Sequence, residues 1–169
     1  MSSEAEGRQS EFERLIAAFN SRHVEYAVIG GYAVAHHGHV RNTQDLDIFV
    51  RSTEENARRI VAALRDVGFS NSEISEEAFT HDNGVRLGVV PAQIDIIAYL
   101  PGVDQDGVWS RRERGRFGAE TACFISRQDL IDNKRFVARP QDIADTKNLE
   151  AAKAKEDSLK QEKGRGFDP

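Results

Sequence analysis

The sequence predicts an α+β domain: a small mixed β-sheet flanked by helices. Three observations predict it. Stretches with helical apolar spacing alternate with short β-rich ones, in the order helix, strand, helix, strand, helix, strands, helices. The β-rich stretches are short and are bounded by Gly, Pro or polar turn residues. Helix starts are marked by Ser with an acidic residue three positions on, at Ser10/Glu13, Ser52/Glu55 and Ser126/Asp129.

Residues 1–9 are polar and acidic and read as a loose leader to a domain spanning residues 10–152. Behind Ser10, the apolar residues Phe12, Leu15, Ile16 and Phe19 fall on one helical face. "EYAVIG" is a strand ending at Gly30-Gly31, and residues 32–38 suit a short helix. "DLDIFV" is the second strand. The helix opened by Ser52 turns Ala57, Ile60, Val61 and Leu64 inward and stops at Gly68. "VRLGVV", "QIDIIAYL" and "ETACFIS" supply further strands. Ser126 starts a helix running to about Phe136. Pro140 suits the first position of a last helix, with Ile143, Ala144 and Leu149 expected inside. Residues 153–169 are mostly charged, with little to bury, and read as a disordered tail.

With 169 residues the chain is long enough for one domain with a proper core. Its net charge of −5 excludes a general polycation, so any contact with nucleic acid needs a local basic patch. Cys123 is the single cysteine, which excludes an intrachain disulfide and a cysteine-based zinc site. No secretory signal pattern and no run of about 18 apolar residues is present, so a cytoplasmic location without membrane contact is expected.

Asp45 and Asp47 interrupt an apolar strand. Alternation along a strand puts Leu46, Ile48 and Val50 on one face and both aspartates on the other, roughly 7 Å apart. Like charges so placed repel, and a divalent cation turns that repulsion into attraction; Mg²⁺ commonly takes one or two carboxylates plus substrate phosphates. Asp95 in "QIDIIAYL" has the same setting, with Ile94 and Ile96 opposite it. A second Asp-x-Asp, Asp104 and Asp106, lies among Pro101, Gly102 and Gly107 and reads as a solvated turn. Gly30-Gly31 lets the backbone approach a ligand closely, and the helix start behind it offers free N–H groups to phosphate.

These residues bear a family likeness. Gly30-Gly31, "R-x-T-x-D-L-D" from Arg41 to Asp47, "IDII" at 94–97, and "RPQDIAD" from Arg139 with Lys134 before it resemble the nucleotidyltransferase superfamily related to DNA polymerase β. Within it they resemble the small bacterial AbiEii-like toxins and minimal nucleotidyltransferases. The resemblance implies a nucleotidyltransferase-like fold with C-terminal helices and an NTP-dependent, pyrophosphate-releasing transfer of NMP to an acceptor hydroxyl. It implies one or two Mg²⁺ ions on Asp45, Asp47 and Asp95, with Asp95 a ligand or the proton acceptor. Gly30 and Gly31 would hold the triphosphate, Arg41 and Thr43 would flank it, Lys134 would meet it, and Asp142 or Asp145 would orient it or the helix. Many relatives carry serine where Gly31 stands, which leaves backbone contact there.

"WSRRERGRF" sets Arg111, Arg112, Arg114 and Arg116 between Trp109 and Phe117, a candidate RNA contact of arginines and stacking aromatics. The expected acceptor is RNA, a tRNA 3′ end, modified by a toxin paired with an antitoxin protein. The alternatives are a transferase acting on a protein or small molecule, as antibiotic-modifying relatives do, and an idle nucleotide-binding relative. His36, His37 and His39 in "HHGH" are read as structural: adjacent histidines point in different directions and no cysteine assists.

Overall fold

The structure, a computed structural model, describes residues 2–72, 74–89 and 92–165. Its elements are α1 (Ser2–Ser21), β1 (Tyr26–Ile29), α2 (Gly30–His36), β2 (Leu46–Val50), α3 (Glu54–Asp66), a 3₁₀ turn (Glu76–Phe79), β3 (Gly84–Leu87), β4 (Ile94–Ile97), α4 (Val108–Arg111), β5 (Glu113–Phe117), β6 (Glu120–Phe124), α5 (Arg127–Val137) and α6 (Pro140–Arg165). Val90, the end of one expected strand, and tail residues 166–169 lie outside the described residues.

Six strands form one mixed sheet in the order β3-β4-β2-β1-β6-β5. β1 pairs antiparallel with β2 and parallel with β6, while β2 pairs parallel with β4. Antiparallel β3 and β5 form the two edges. The core gathers Phe12, Leu15, Ile16 and Phe19 of α1, the inward residues of β1 and β2, and Ala57, Ile60 and Leu64 of α3, all at most 1% exposed. Burying each of these larger side chains stabilises the fold by roughly 1.5–3 kcal/mol.

Four expectations are corrected. The loose leader is helical, because α1 starts at Ser2 and only its second half is anchored in the core. Once that half is fixed, each added residue gains a hydrogen bond at little entropic cost. Ser10 is therefore no cap, and Glu13 instead accepts from Gln9 Nε2 (3.2 Å) and from the Ala119 N–H (3.3 Å). The cap of α3 is Thr53, which accepts from the Asn56 N–H, one residue after Ser52. The tail expected to be disordered continues α6 to Arg165, with its residues exposed beyond Ala152.

The fourth correction concerns the inner face of α6. Ile143 is 48% exposed and Ala144 is exposed, whereas Asp142, Asp145, Thr146 and Leu149 are buried. Leu149 is buried as expected, but Ile143 and Ala144 pointed to the wrong face, because the face that docks also carries two aspartates held by cations of the neighbouring elements. Ser126 does cap α5 as expected, accepting from the Asp129 N–H.

Candidate active site

Strand register gathers the acidic residues. Asp47 on β2 lies opposite Asp95 on parallel β4 and opposite Ile29 on β1. Asp45 is two residues back along the β2 direction and so faces the same side. Leu46, Ile48 and Val50 are fully buried on the other side. Three carboxylates thus share one surface at the point where β1 ends and α2 begins.

Their mutual repulsion is visible in Asp47. Burial, and then the neighbouring Asp95 and Asp45 carboxylates, push its pKa up to about 6, only partly offset by Lys134 and Arg41. A half-buried carboxylate beside two others is a fitting seat for a hard divalent cation, which prefers such oxygens. The donor set therefore fits the Mg²⁺ that the sequence implies.

Arg86 is a site residue that sequence reasoning missed. It lies opposite Asp95 on β3 and donates from Nε to Asp95 Oδ1 at 2.7 Å. Because the strand order is β3-β4-β2, Asp95 stands between Arg86 and Asp47, and the arginine flanks the carboxylate trio from outside. Its side chain is 66% exposed, so the pair is a solvated one of modest strength. Alternation in "VRLGVV" carried the signal, but the register to "QIDIIAYL" was needed to read it.

Gly30 has φ +65°, and a Cβ there would overlap Asp47 Oδ2. The glycine is required by both the turn and the carboxylate. Ile29, the cap position of α2, offers no side-chain hydrogen bond, so the first N–H groups of the helix meet no side-chain cap. Gly31 is tight for a different reason: a Cβ would lie 2.6 Å from Thr43 Cβ and 2.7 Å from its Oγ1. Thr43 fills the space beside Gly31, and its hydroxyl lies where a side chain at position 31 would begin.

The C-terminal helices add a buried charge network. Lys134 of α5 is 5% exposed and donates from Nζ to Asp145 Oδ2 at 2.8 Å, with Asp142 Oδ1 3.5 Å away. Arg41 grips the same Asp145 with Nε (2.9 Å) and Nη2 (3.2 Å), and Gln141 adds a further donor. Burial alone raises the Asp145 pKa, but the bonds from Lys134 and Arg41 outweigh it and hold it below the ordinary value. Asp142 behaves alike: burial is outweighed by Arg139, whose backbone N–H (3.1 Å) and Nε (2.8 Å) both donate to it. Asp142 thereby closes the N-terminus of α6 by reaching back three residues.

A cleft of about 860 Å³ opens over this surface, lined by Gly30, Asp45, Asp47, Asp95, Arg86, Lys134, Arg139 and Asp142 among others. That volume lies within the range of small-ligand sites. Gly31, Arg41, Thr43 and Asp145 stand behind the lining. Arg139 is the second residue missed, although its spacing to Asp142 repeats the capping pattern seen elsewhere in the chain.

The four arginines read as an RNA contact are not brought into one patch. Arg111 is forked onto Asp129 at 2.8 and 2.9 Å, and Arg112 turns inward to the carbonyl oxygen of Tyr26 (2.9 Å) over the Trp109 ring. Arg114 and Arg116 remain exposed on β5. Asp104 and Asp106 form the expected turn, Asp104 Oδ1 accepting from the Asp106 N–H at 3.2 Å.

A family model described as aminoglycoside-2''-adenylyltransferase matches residues 11–149. Among solved structures, the fold is similar to the solution structure of the antibiotic-resistance factor ANT(2'')-Ia, with 15% identity, a TM-score of 0.58, and coverage of 94% of this chain and 96% of that one. It is also similar to the lincomycin-bound crystal structure of the lincosamide antibiotic adenylyltransferase LnuA, with 16% identity, a TM-score of 0.53, and coverage of 85% and 96%. No curated protein sequence matches. The superfamily resemblance carried by the aspartates and glycines holds; the matching family is an antibiotic-modifying one, and the AbiEii-like toxin group finds no support. The chain is a nucleotidyltransferase and belongs to the aminoglycoside-2''-adenylyltransferase family.

Proposed function

We propose that the protein moves the NMP unit of a Mg²⁺-bound NTP onto a hydroxyl of a small, cationic, antibiotic-like molecule, releasing pyrophosphate. The observation that carries this reading is the trio Asp45, Asp47 and Asp95, gathered by strand register on the wall of one cleft. Family membership supports adenylyl transfer to an antibiotic hydroxyl. The acidity of the chain supports a cationic acceptor, which such a field attracts. The RNA-acceptor toxin with a cognate antitoxin is less well supported, since Arg111 and Arg112 are engaged within the fold.

Asp45, Asp47 and Asp95 would hold Mg²⁺, which would neutralise charge on the triphosphate and lower the pKa of the incoming hydroxyl. Gly30 presents its backbone to the phosphates where a side chain would collide with Asp47. Asp95 accepts the proton of the attacking hydroxyl as the new oxygen–Pα bond forms and the bond from Pα to pyrophosphate breaks. Lys134, held by Asp142 and Asp145, places fixed positive charge beside the growing charge of pyrophosphate.

The test is incubation with each α-labelled NTP, Mg²⁺, and an aminoglycoside, a lincosamide or total cellular RNA in separate reactions. Label on an antibiotic hydroxyl with matching pyrophosphate release is the expected result. Label in RNA alone would move the acceptor to RNA, and no label with any acceptor would overturn the transferase site.

A further inference from the structure

His36 and His37, expected to diverge, converge on one carboxylate. His36 closes α2 and His37 follows it as the cap. Their rings stand edge to face with centroids 4.8 Å apart. Glu113 Oε2, from the first residue of edge strand β5, lies 3.2 Å from His36 Nε2 and 3.6 Å from His37 Nδ1. The three donor atoms all fall within 4.8 Å of one another. Successive helical residues point about 100° apart. Here the offset is absorbed because one ring presents its far nitrogen and the other its near one.

Both rings are held in place. His36 lies flat on Phe124, with centroids 4.2 Å apart and planes 5° apart. On its other flank it meets Gly115, where a Cβ would come within 2.6 Å of ring atoms Nδ1 and Cε1. His37 is 3% exposed, and its Nε2 lies 2.7 Å from the Ile125 carbonyl oxygen. A carbonyl only accepts, so Nε2 carries the hydrogen, and neutral His37 aims the bare lone pair of Nδ1 at Glu113. Burial holds the His37 pKa below the usual imidazole range, and Arg127, whose Nη2 donates to the His37 carbonyl oxygen at 3.2 Å, adds to that in smaller part. Two acceptors then face each other across a gap suited to a cation.

Metal-bound histidines commonly donate their other ring N–H to a carbonyl, as His37 does. Zinc bonds of about 2.0–2.2 Å set tetrahedral donors roughly 3.3–3.6 Å apart; the two separations from Glu113 are close to that, and the two imidazole nitrogens, within 4.8 Å of each other, would draw together by about 1 Å on binding. We propose that His36 Nε2, His37 Nδ1 and Glu113 Oε2 form a site for a zinc-class divalent cation, distinct from the carboxylate cleft and open to solvent at its fourth position. Two imidazoles with one carboxylate favour such a borderline cation over Mg²⁺. None of the three residues lines the cleft, and Glu113 is 51% exposed. The cation ties the end of α2 to β5, while the start of that helix carries Gly30.

The test is a zinc titration of the metal-free full-length chain against a chromogenic chelator, with millimolar Mg²⁺ present to occupy the cleft. One Zn²⁺ per chain is expected, with Kd below about 10 μM, weakened at least tenfold in His36→Gln and in Glu113→Gln. Asp47→Asn is expected to bind zinc as the wild type does. Absence of saturable binding, wild-type affinity in both ligand variants, or loss in Asp47→Asn would each overturn the site. Thermal melts without zinc verify folding, and the exposed Glu113 variant decides if His36→Gln melts early.

Discussion

Asp47 carries a cost that its chemistry explains. Its pKa is raised from 3.8 to about 6, so the metal-free folded state holds the proton more tightly than the unfolded chain. The stabilisation from that bound proton is complete below about pH 4 and is lost as pH rises through about 6. By pH 8 the loss amounts to about 3 kcal/mol. Asp47→Asn is therefore expected to abolish transfer while raising the melting temperature of the metal-free protein at pH 8, with no gain at pH 4. A lower melting temperature at pH 8 would contradict the repulsion described here. Gly30→Ala is expected to cut transfer more than 100-fold, since the new methyl group must displace the Asp47 carboxylate and adopt a left-handed backbone that costs about 1–2 kcal/mol. Wild-type turnover in that variant would show that the close approach is dispensable.

At the scale of elements, the α5–α6 corner holds Lys134 between Asp142 and Asp145. Lys134→Met leaves two buried carboxylates without their ammonium and is expected to cost about 3–5 kcal/mol, read by urea unfolding. A loss below about 1 kcal/mol would mean that Arg41 and Arg139 suffice to dock α6. Ala138 joins the two helices at φ 54°, a conformation that suits glycine. Ala138→Gly is accordingly expected to stabilise the fold by roughly 0.5–1 kcal/mol, with an unchanged urea midpoint counting against it. This corner also shows where sequence reading fails. Strands β2 and β4 were legible because period-two alternation separates Leu46 and Ile48 from the aspartates. The docking face of α6 was not, because its buried residues are Asp142 and Asp145, whose burial depends on Lys134, Arg41 and Arg139 arriving from elsewhere. Likewise the ends of α1 and α6 carry the composition of disorder, and their helicity comes from extending turns that the core already fixes.

Across the whole molecule, two groups of carboxylates pull stability in opposite directions with pH. Asp142 and Asp145 have lowered pKa values in the folded state, so their contribution is present above the ordinary carboxylate range and is lost as pH falls below it. Asp47 contributes in the opposite sense. Metal-free stability is expected to peak between about pH 4 and 6, and Mg²⁺ with NTP to restore the alkaline side by binding the ionised trio. The order of elements was legible in the chain except for α4 and β5, which the arginine-rich stretch hid, and so was the shared face of Asp45, Asp47 and Asp95. The flanking Arg86 depended on which strands become neighbours, which no local pattern states. The histidine pair depended on a turn bringing β5 to the end of α2.

Proton release tests most directly whether ionised Asp47 receives the metal–triphosphate. Calorimetry of Mg²⁺ with a non-hydrolysable ATP analogue, run at pH 6 in buffers of different ionisation enthalpy, counts the protons released on binding. The wild type is expected to release about half a proton more than Asp47→Asn, because a group with a pKa of about 6 is half protonated there. Equal release and equal affinity in the two proteins would contradict the claim.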